Sequence, residues 1–410
     1  MNASKGQPRC APGPERHLLH LTMAELLALL YAATLPFDGL AIGDRSLPFL
    51  SGVLYLAVAV VTRLVPRRQA GRGRIPAQHI LPAMVFTLYC ALSYYWSLAP
   101  DLTISRITTL VVLLVTSSFL AHDLSRVGRM LPAAFVLGAV PAALLVLVAT
   151  ASTTDRRTAN GNANDVALTL LIAVACALWL SLKYKGKIRV LGVTSIGILI
   201  SGVVATGSRT AIVGGAAMLV AVAIWLVWTR RWRPLVLFFS LSALAGVLLS
   251  ALPAELIPSR LTTIQDSLGT DSFSGRTYLW EAILVRGFDP FGVGAGATPA
   301  YFQDAIGAAQ VSHNVYLGVL LETGLFGMFL FLAIILTAFI SARRSPYSEL
   351  LFIALPVMVA GSMTLSLEAS RLLWFLIALA WVVAPRNSID VRSDTRSRTR
   401  VPSVGFGVRH

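Results

Sequence analysis

The chain has 410 residues, a mean hydropathy of +0.73, 56% apolar residues and 13% charged ones, whereas an ordinary soluble domain carries about 25% charge. That balance excludes a soluble enzyme, and plentiful Leu, Ile, Val and Phe exclude a disordered or collagen-like chain. The net charge of +15 is spread as small Lys and Arg groups between apolar runs, not gathered on one soluble face, so no nucleic acid is expected as a partner.

Residues 1–20 are polar and Pro-rich with no small-residue cleavage site, and read as an uncleaved cytoplasmic tail. A helix crossing the hydrocarbon core needs about 20 mostly apolar residues. Runs of that kind, bounded by Pro, Gly or charge, predict twelve spans, near 21–36, 46–65, 79–97, 104–121, 130–150, 165–182, 188–206, 210–228, 234–252, 312–342, 347–366 and 370–384. The expected fold is therefore an all-α polytopic membrane protein, with nine spans in 21–252, a long loop at 253–311, three spans in 312–384 and a basic tail at 385–410.

Cytoplasmic loops hold the excess of Lys and Arg. With both termini inside, the cytoplasmic segments hold 25 of the 34 Lys and Arg residues. The outer segments keep Arg45, Arg106, Arg156, Arg157, Arg209, Arg260, Arg276, Arg286 and Arg371. The alternation places the 253–311 loop on the outer face. Within it, Leu279, Ile283, Leu284 and Phe288 form one stripe after the N-cap candidate Ser274, which predicts an amphipathic helix at the outer interface.

Sidedness leaves few groups for acid-base chemistry outside. His17, His20, His79, His122 and His410 fall on the cytoplasmic side, and His313 faces out at the start of the tenth span, where Ser312 is the expected N-cap. The positive end of a helix disfavours imidazolium, and a neutral imidazole can accept a proton near neutral pH. The plainer alternative is a His that only caps a helix at headgroup level.

Arg209, in ATGSRTAIVGG, and Arg276, in SGRTYLWEA, each stand at a predicted helix start. Free N–H groups beside a planar, always-charged guanidinium suit a phosphate oxyanion, and snorkelling toward headgroups is the competing reading. Arg371 and Arg260 are weaker candidates.

DPFGVGAG, at 289–296, lacks the preceding strand of a dinucleotide loop and reads as a flexible turn over the site. NGNAND, at 160–165, reads as a turn capping the sixth span. Cys10, Cys90 and Cys176 are far apart and form no disulfide framework. The outer carboxylates Asp266, Asp271, Glu281, Asp289 and Asp304 are scattered, so neither a metal site nor a cofactor is expected.

The strings SGRTYLWEAI, DPFGVGAG and SHNVYLGVLLETGLFGMFLFL, in that order, resemble the shared C-terminal signature of the O-antigen ligase and polymerase superfamily; NGNAND and GSRT resemble two further landmarks. The strong likeness covers about 270–335 and the looser one about 155–340. It implies a membrane glycosyltransferase of GT-C architecture, taking a glycan from undecaprenyl pyrophosphate at the periplasmic face of the bacterial inner membrane. By that likeness Arg209 and Arg276 hold the pyrophosphate and His313 activates the acceptor hydroxyl, and Tyr316 and Glu322 belong to the motif; Arg371 stays a secondary candidate from the outer-face arginines alone. Glu322 would orient partners or neutralise an arginine.

The implied reaction is metal-independent and inverting, with lipid A-core as acceptor in a ligase and another lipid-linked glycan in a polymerase. The compact length and motif match favour the ligase. A transporter or flippase of lipid-linked sugars is the competing class. It would place charges at mid-membrane and show repeated halves, and no internal repeat is seen.

The loop bias yields a direct test. Reporter fusions at residues 70, 186 and 395 are expected to report cytoplasm and a fusion near 270 periplasm; a cytoplasmic signal at 270 would remove the site argument.

Overall fold

The computed structural model describes residues 21–64, 77–128, 130–152, 157–158, 161–230, 277–286 and 289–382. The predicted ninth span, Ser274, Arg276, Phe288, Arg260, Cys10 and the two tails lie outside the described residues. Each of the other eleven predicted spans is represented by a helix: α1 Met23–Thr34, α2 Leu47–Leu64, α3 Ala77–Leu92, α4 Pro100–Val127, α5 Met130–Ser152, α6 Ala163–Lys183, α7 Lys187–Ala205, α8 Arg209–Trp228, then, after two shorter helices in the loop, α11 Val315–Ala342, α12 Ser348–Gly361 and α13 Arg371–Trp381. The loop helices are α9, Thr277–Arg286, and α10, Thr298–Ile306.

Seven of the described helices (α2, α4 to α8 and α11) are long and apolar enough to cross a membrane. Among the described residues, sheet is confined to two antiparallel two-residue pairs, Ala41–Ile42 with Arg45–Ser46 and Arg157–Thr158 with Gly161–Asn162. This is an all-α, multi-pass membrane protein.

Helices dominate because hydrocarbon offers no partner to a backbone N–H or C=O, and a helix satisfies both within one segment. Two of them form the middle of the bundle. α6 is buried along most of its length from Val166 to Ser181, and α13 from Leu372 to Trp381, as expected of helices that are apolar all round. α6 packs on α5, α7, α8 and α12, and α13 on α4 and α11. The periphery turns large apolar side chains outward, among them Val61, Ile200, Val220, Phe329 and Leu336, a surface suited to lipid.

Inner and outer helix ends separate cleanly in their polar bonds. At the end the charge bias assigns to the cytoplasm, Asp123 takes hydrogen bonds from the Tyr55 hydroxyl at 2.9 Å and from Arg63 at 3.0 Å. There too, the Tyr347 hydroxyl donates to the Gly128 carbonyl at 2.7 Å, Ser345 donates to the Leu379 carbonyl at 2.7 Å, and the Ser341 hydroxyl meets His79 Nδ1 at 2.6 Å.

Helix α11 contains the main irregularity. Gly324 has φ 65° and ψ −166°, so the helix breaks there. In an unbroken helix Leu325 and Phe326 would donate to Leu321 and Glu322. Here the 289–297 loop stands in on both sides of the gap. Leu325 and Phe326 donate to the carbonyls of Asp289 (3.1 Å) and Pro290 (3.3 Å), while the carbonyls of Leu321 and Glu322 accept from the N–H groups of Val293 and Gly294, both at 2.9 Å. The Tyr89 hydroxyl takes the next carbonyl, Thr323, at 3.0 Å.

The expectation of a flexible turn at 289–296 is therefore corrected. Val293 to Ala297 are buried, and Gly292, Gly294 and Gly296 sit at φ 74°, 105° and 80° so that the backbone fits inside the bundle. The physical reason is the four-bond exchange with α11, which no local pattern reveals.

Gly324→Ala should test this arrangement. Its backbone region is essentially restricted to glycine, and a Cβ would run into the carbonyls of Asp289 and Pro290. A loss of about 1–3 kcal/mol or more is expected as a lowered unfolding temperature in detergent, while Gly197→Ala, in α7 with open space around the new methyl, should be neutral or slightly stabilising.

Candidate functional site

The helix ends that the charge bias places outside meet at the opposite end of the bundle. α6 begins at the N-cap Asn162, whose side chain accepts from the Asn164 N–H at 2.9 Å, as expected of the NGNAND turn. Asn164 in turn accepts from the Ser208 hydroxyl at 2.5 Å. Ser208 is the N-cap of α8, accepting from the Thr210 N–H at 3.1 Å, so Arg209 is the first residue of that helix. Thr210 is buried, and its hydroxyl meets that of Thr364 at 2.6 Å.

Thr364 belongs to a non-helical segment, 362–370, between α12 and α13. The eleventh span was expected to continue as helix through 366; it ends at Gly361 instead. The reason is tertiary. The Ser362 carbonyl accepts from the Val315 N–H at 2.9 Å, and the Ser366 hydroxyl lies 3.4 Å from that of Ser312, so the segment is used to hold the start of α11.

The start of α11 also differs from expectation. Asn314, not Ser312, is the N-cap; its side chain accepts from the N–H groups of Tyr316 at 3.0 Å and Leu317 at 3.2 Å. The Ser312 hydroxyl donates to the Asn314 carbonyl at 2.9 Å instead. His313 therefore precedes the helix and is not in its first turn. It is half-buried, with φ at 50° in the left-handed region that is uncommon for a residue with a side chain. That conformation, held between two residues anchored by hydrogen bonds, sets the direction in which the imidazole leaves the chain.

The loop helices pack beside this point. Leu279 and Ile283 of α9 are buried with Val293, Ala297, Phe302 and Leu321. Two residues of the expected apolar stripe thus face protein, while Leu284, on the same stripe, is 56% exposed. The Trp280 indole N–H donates to the Ser312 carbonyl at 3.0 Å, tying α9 to the residue before His313. α10 was not anticipated at all, although Pro299 in its first turn and Gly307 at its C-cap, with φ 72°, are ordinary signals of a helix.

The secondary candidates separate. The Tyr316 hydroxyl is committed to the Val359 carbonyl at 3.0 Å and ties α11 to α12. Arg371 starts α13, pairs with Asp38 and lies 5.9 Å from the centre of the Phe49 ring, on the α1 and α2 side of the bundle. Glu322 is buried; its carboxylate accepts from the Thr298 hydroxyl at 2.7 Å, and it lies within the field of Arg106 and Glu368.

Arg106 and Glu368 form a partly buried ion pair that sequence reading did not single out. The available signal was a charge within or beside an apolar span, but a partnership across 262 positions is not visible in sequence. Among the described residues no group of three or more His, Cys, Asp or Glu is placed to hold a metal ion.

The arrangement thus assembles one anionic-ligand candidate at a helix start, Arg209, and one titratable ring, His313, around a shared segment. Arg276 would have to join them from just before α9 and lies outside the described residues. No curated protein matches the chain. Residues 194–332, which include Arg209, Arg276, Glu322 and His313, match the family model described as O-antigen ligase. Over that third of its length the chain is similar to the O-antigen ligase family.

Proposed function

We propose that this protein is an O-antigen ligase-type glycosyltransferase of the bacterial inner membrane, which moves a glycan from undecaprenyl pyrophosphate to an acceptor hydroxyl of lipid A-core at the periplasmic face. The observation that carries the reading is the convergence, inside the family-matched segment, of the starts of α8 and α11 on the 362–370 segment, which gathers Arg209 and His313 at one end of the bundle.

In this reading the acceptor hydroxyl attacks the anomeric carbon, His313 takes or shares the hydroxyl proton, and the C–O bond to the departing pyrophosphate breaks with inversion. The negative charge that develops on the leaving oxygen is met by Arg209 and Arg276, whose planar guanidinium groups suit phosphate oxygens and replace a metal. α9, fastened to Ser312 through Trp280, covers the site and keeps out water that would otherwise hydrolyse the donor.

His313→Ala is expected to lower transfer by about 10² to 10⁴ while donor binding survives, as for loss of a general base. Arg209→Ala and Arg276→Lys are expected to weaken binding of a lipid pyrophosphate as well as turnover. Transfer by His313→Ala at the wild-type rate would defeat the assignment. Gel analysis of envelope lipids from a deletion strain reads the acceptor: unmodified lipid A-core with long glycan left on its carrier supports a ligase, and core bearing a single repeat points to a polymerase.

A further inference from the structure

The Arg106–Glu368 pair has no part in the reaction as written above. Arg106 lies in the second turn of α4 and Glu368 in the 362–370 segment, and the side chains are 26% and 8% exposed. The carboxylate of Glu322 is the other charge that acts on Arg106. With its guanidinium paired to the Glu368 carboxylate, Arg106 has little positive charge left to offer a phosphate.

Stability alone is a poor account of the pair. Desolvation of two charges offsets most of their attraction, so an apolar pair of similar volume would often hold the helices as well. Glu368 Oε2, moreover, is buried with no hydrogen-bond donor among the described residues, an added cost. What the pair does supply is placement. Glu368 sits on the segment that contacts α8 through Thr364, α11 through Ser362 and Ser366, and α13 through its own carbonyl, which accepts from the Trp374 indole at 3.1 Å. Arg106 is the bond from that segment to α4.

We propose that Arg106 and Glu368 are positioning residues: their ion pair pins 362–370 against α4, and that segment sets the start of α11 and hence the direction of His313 toward the acceptor hydroxyl. This rests on the reading of His313 given above. A mispositioned catalytic group can cost about 10²-fold for a displacement near 1 Å, so the effect is measurable even though neither residue touches the reacting atoms.

The test uses the full-length purified protein with an undecaprenyl pyrophosphate-linked glycan and lipid A-core, measuring kcat and the KM for donor. Arg106→Ala and Glu368→Ala are each expected to lower kcat by about 10- to 100-fold with donor KM changed less than about threefold, and Glu368→Gln, which keeps an oxygen for Arg106, to recover most of the loss. Combined with His313→Ala, the same substitutions should cost less than about twofold more, because residues acting through one group are not additive.

Equal losses with and without His313 would overturn the proposal and leave the pair a general support of the fold; a raised donor KM would overturn it by making Arg106 a donor ligand. Should an Ala variant fail to insert or fold, Glu368→Gln and Arg106→Lys carry the same comparison. Failure of the underlying reading is a separate result, in which His313→Ala itself transfers at the wild-type rate and the proposal falls with it.

Discussion

Hydrocarbon gives a peptide group nothing to bond to, and that constraint orders the whole molecule. Inside the bundle the backbone must be helical or be satisfied by another piece of the same chain. Polar side chains consequently collect at helix ends, where they tie one end to the next. The hydroxyl and amide contacts from Asn164 through Ser208 and Thr210 to Thr364 are of this kind, as are those of Asp123 and Tyr347 at the opposite end.

The same constraint explains how a broken helix is tolerated. Gly324 interrupts α11 at a depth where two unmet carbonyls and two unmet N–H groups would be costly. The 289–297 loop supplies both missing acceptors and both missing donors, so the break and the buried loop require each other. One consequence is local to the site. With Gly294 bonded to the Glu322 carbonyl, Thr298 reaches the Glu322 carboxylate, and a motif glutamate that stands within a membrane helix is held from outside that helix.

Charge at the end of the bundle that carries the proposed site is held partly in pairs. Arg371 faces Asp38, and Arg106 faces Glu368 and Glu322. Arg209 stands at the first position of a helix with the N-cap Ser208 beside it, where backbone N–H groups and the helix dipole favour an anion. That setting suits the phosphate-binding role proposed for it.

The sequence by itself determined the class of fold and much of its layout. Apolar runs of membrane length located eleven helices within the described residues, because burial in lipid is dictated by local composition and is indifferent to neighbours. It also singled out Arg209 and His313, since few ionisable groups fall on the outer side once the loops are ordered by charge. Turn chemistry at Asn162 was legible for the same local reason. The tertiary structure alone decided the rest. Asn314 capped α11 where Ser312 was expected, because Ser312 is drawn to Ser366 and to the Asn314 carbonyl. Residues 362–366 left the helix because the Ser362 carbonyl and the Thr364 and Ser366 hydroxyls are used by the starts of α8 and α11, and Arg106 acquired its meaning from Glu368, a residue 262 positions away. Helix formation within a membrane is a property of a segment, but the bonds that shape the polar end are made between segments, and no periodicity in one segment encodes the identity of its partner.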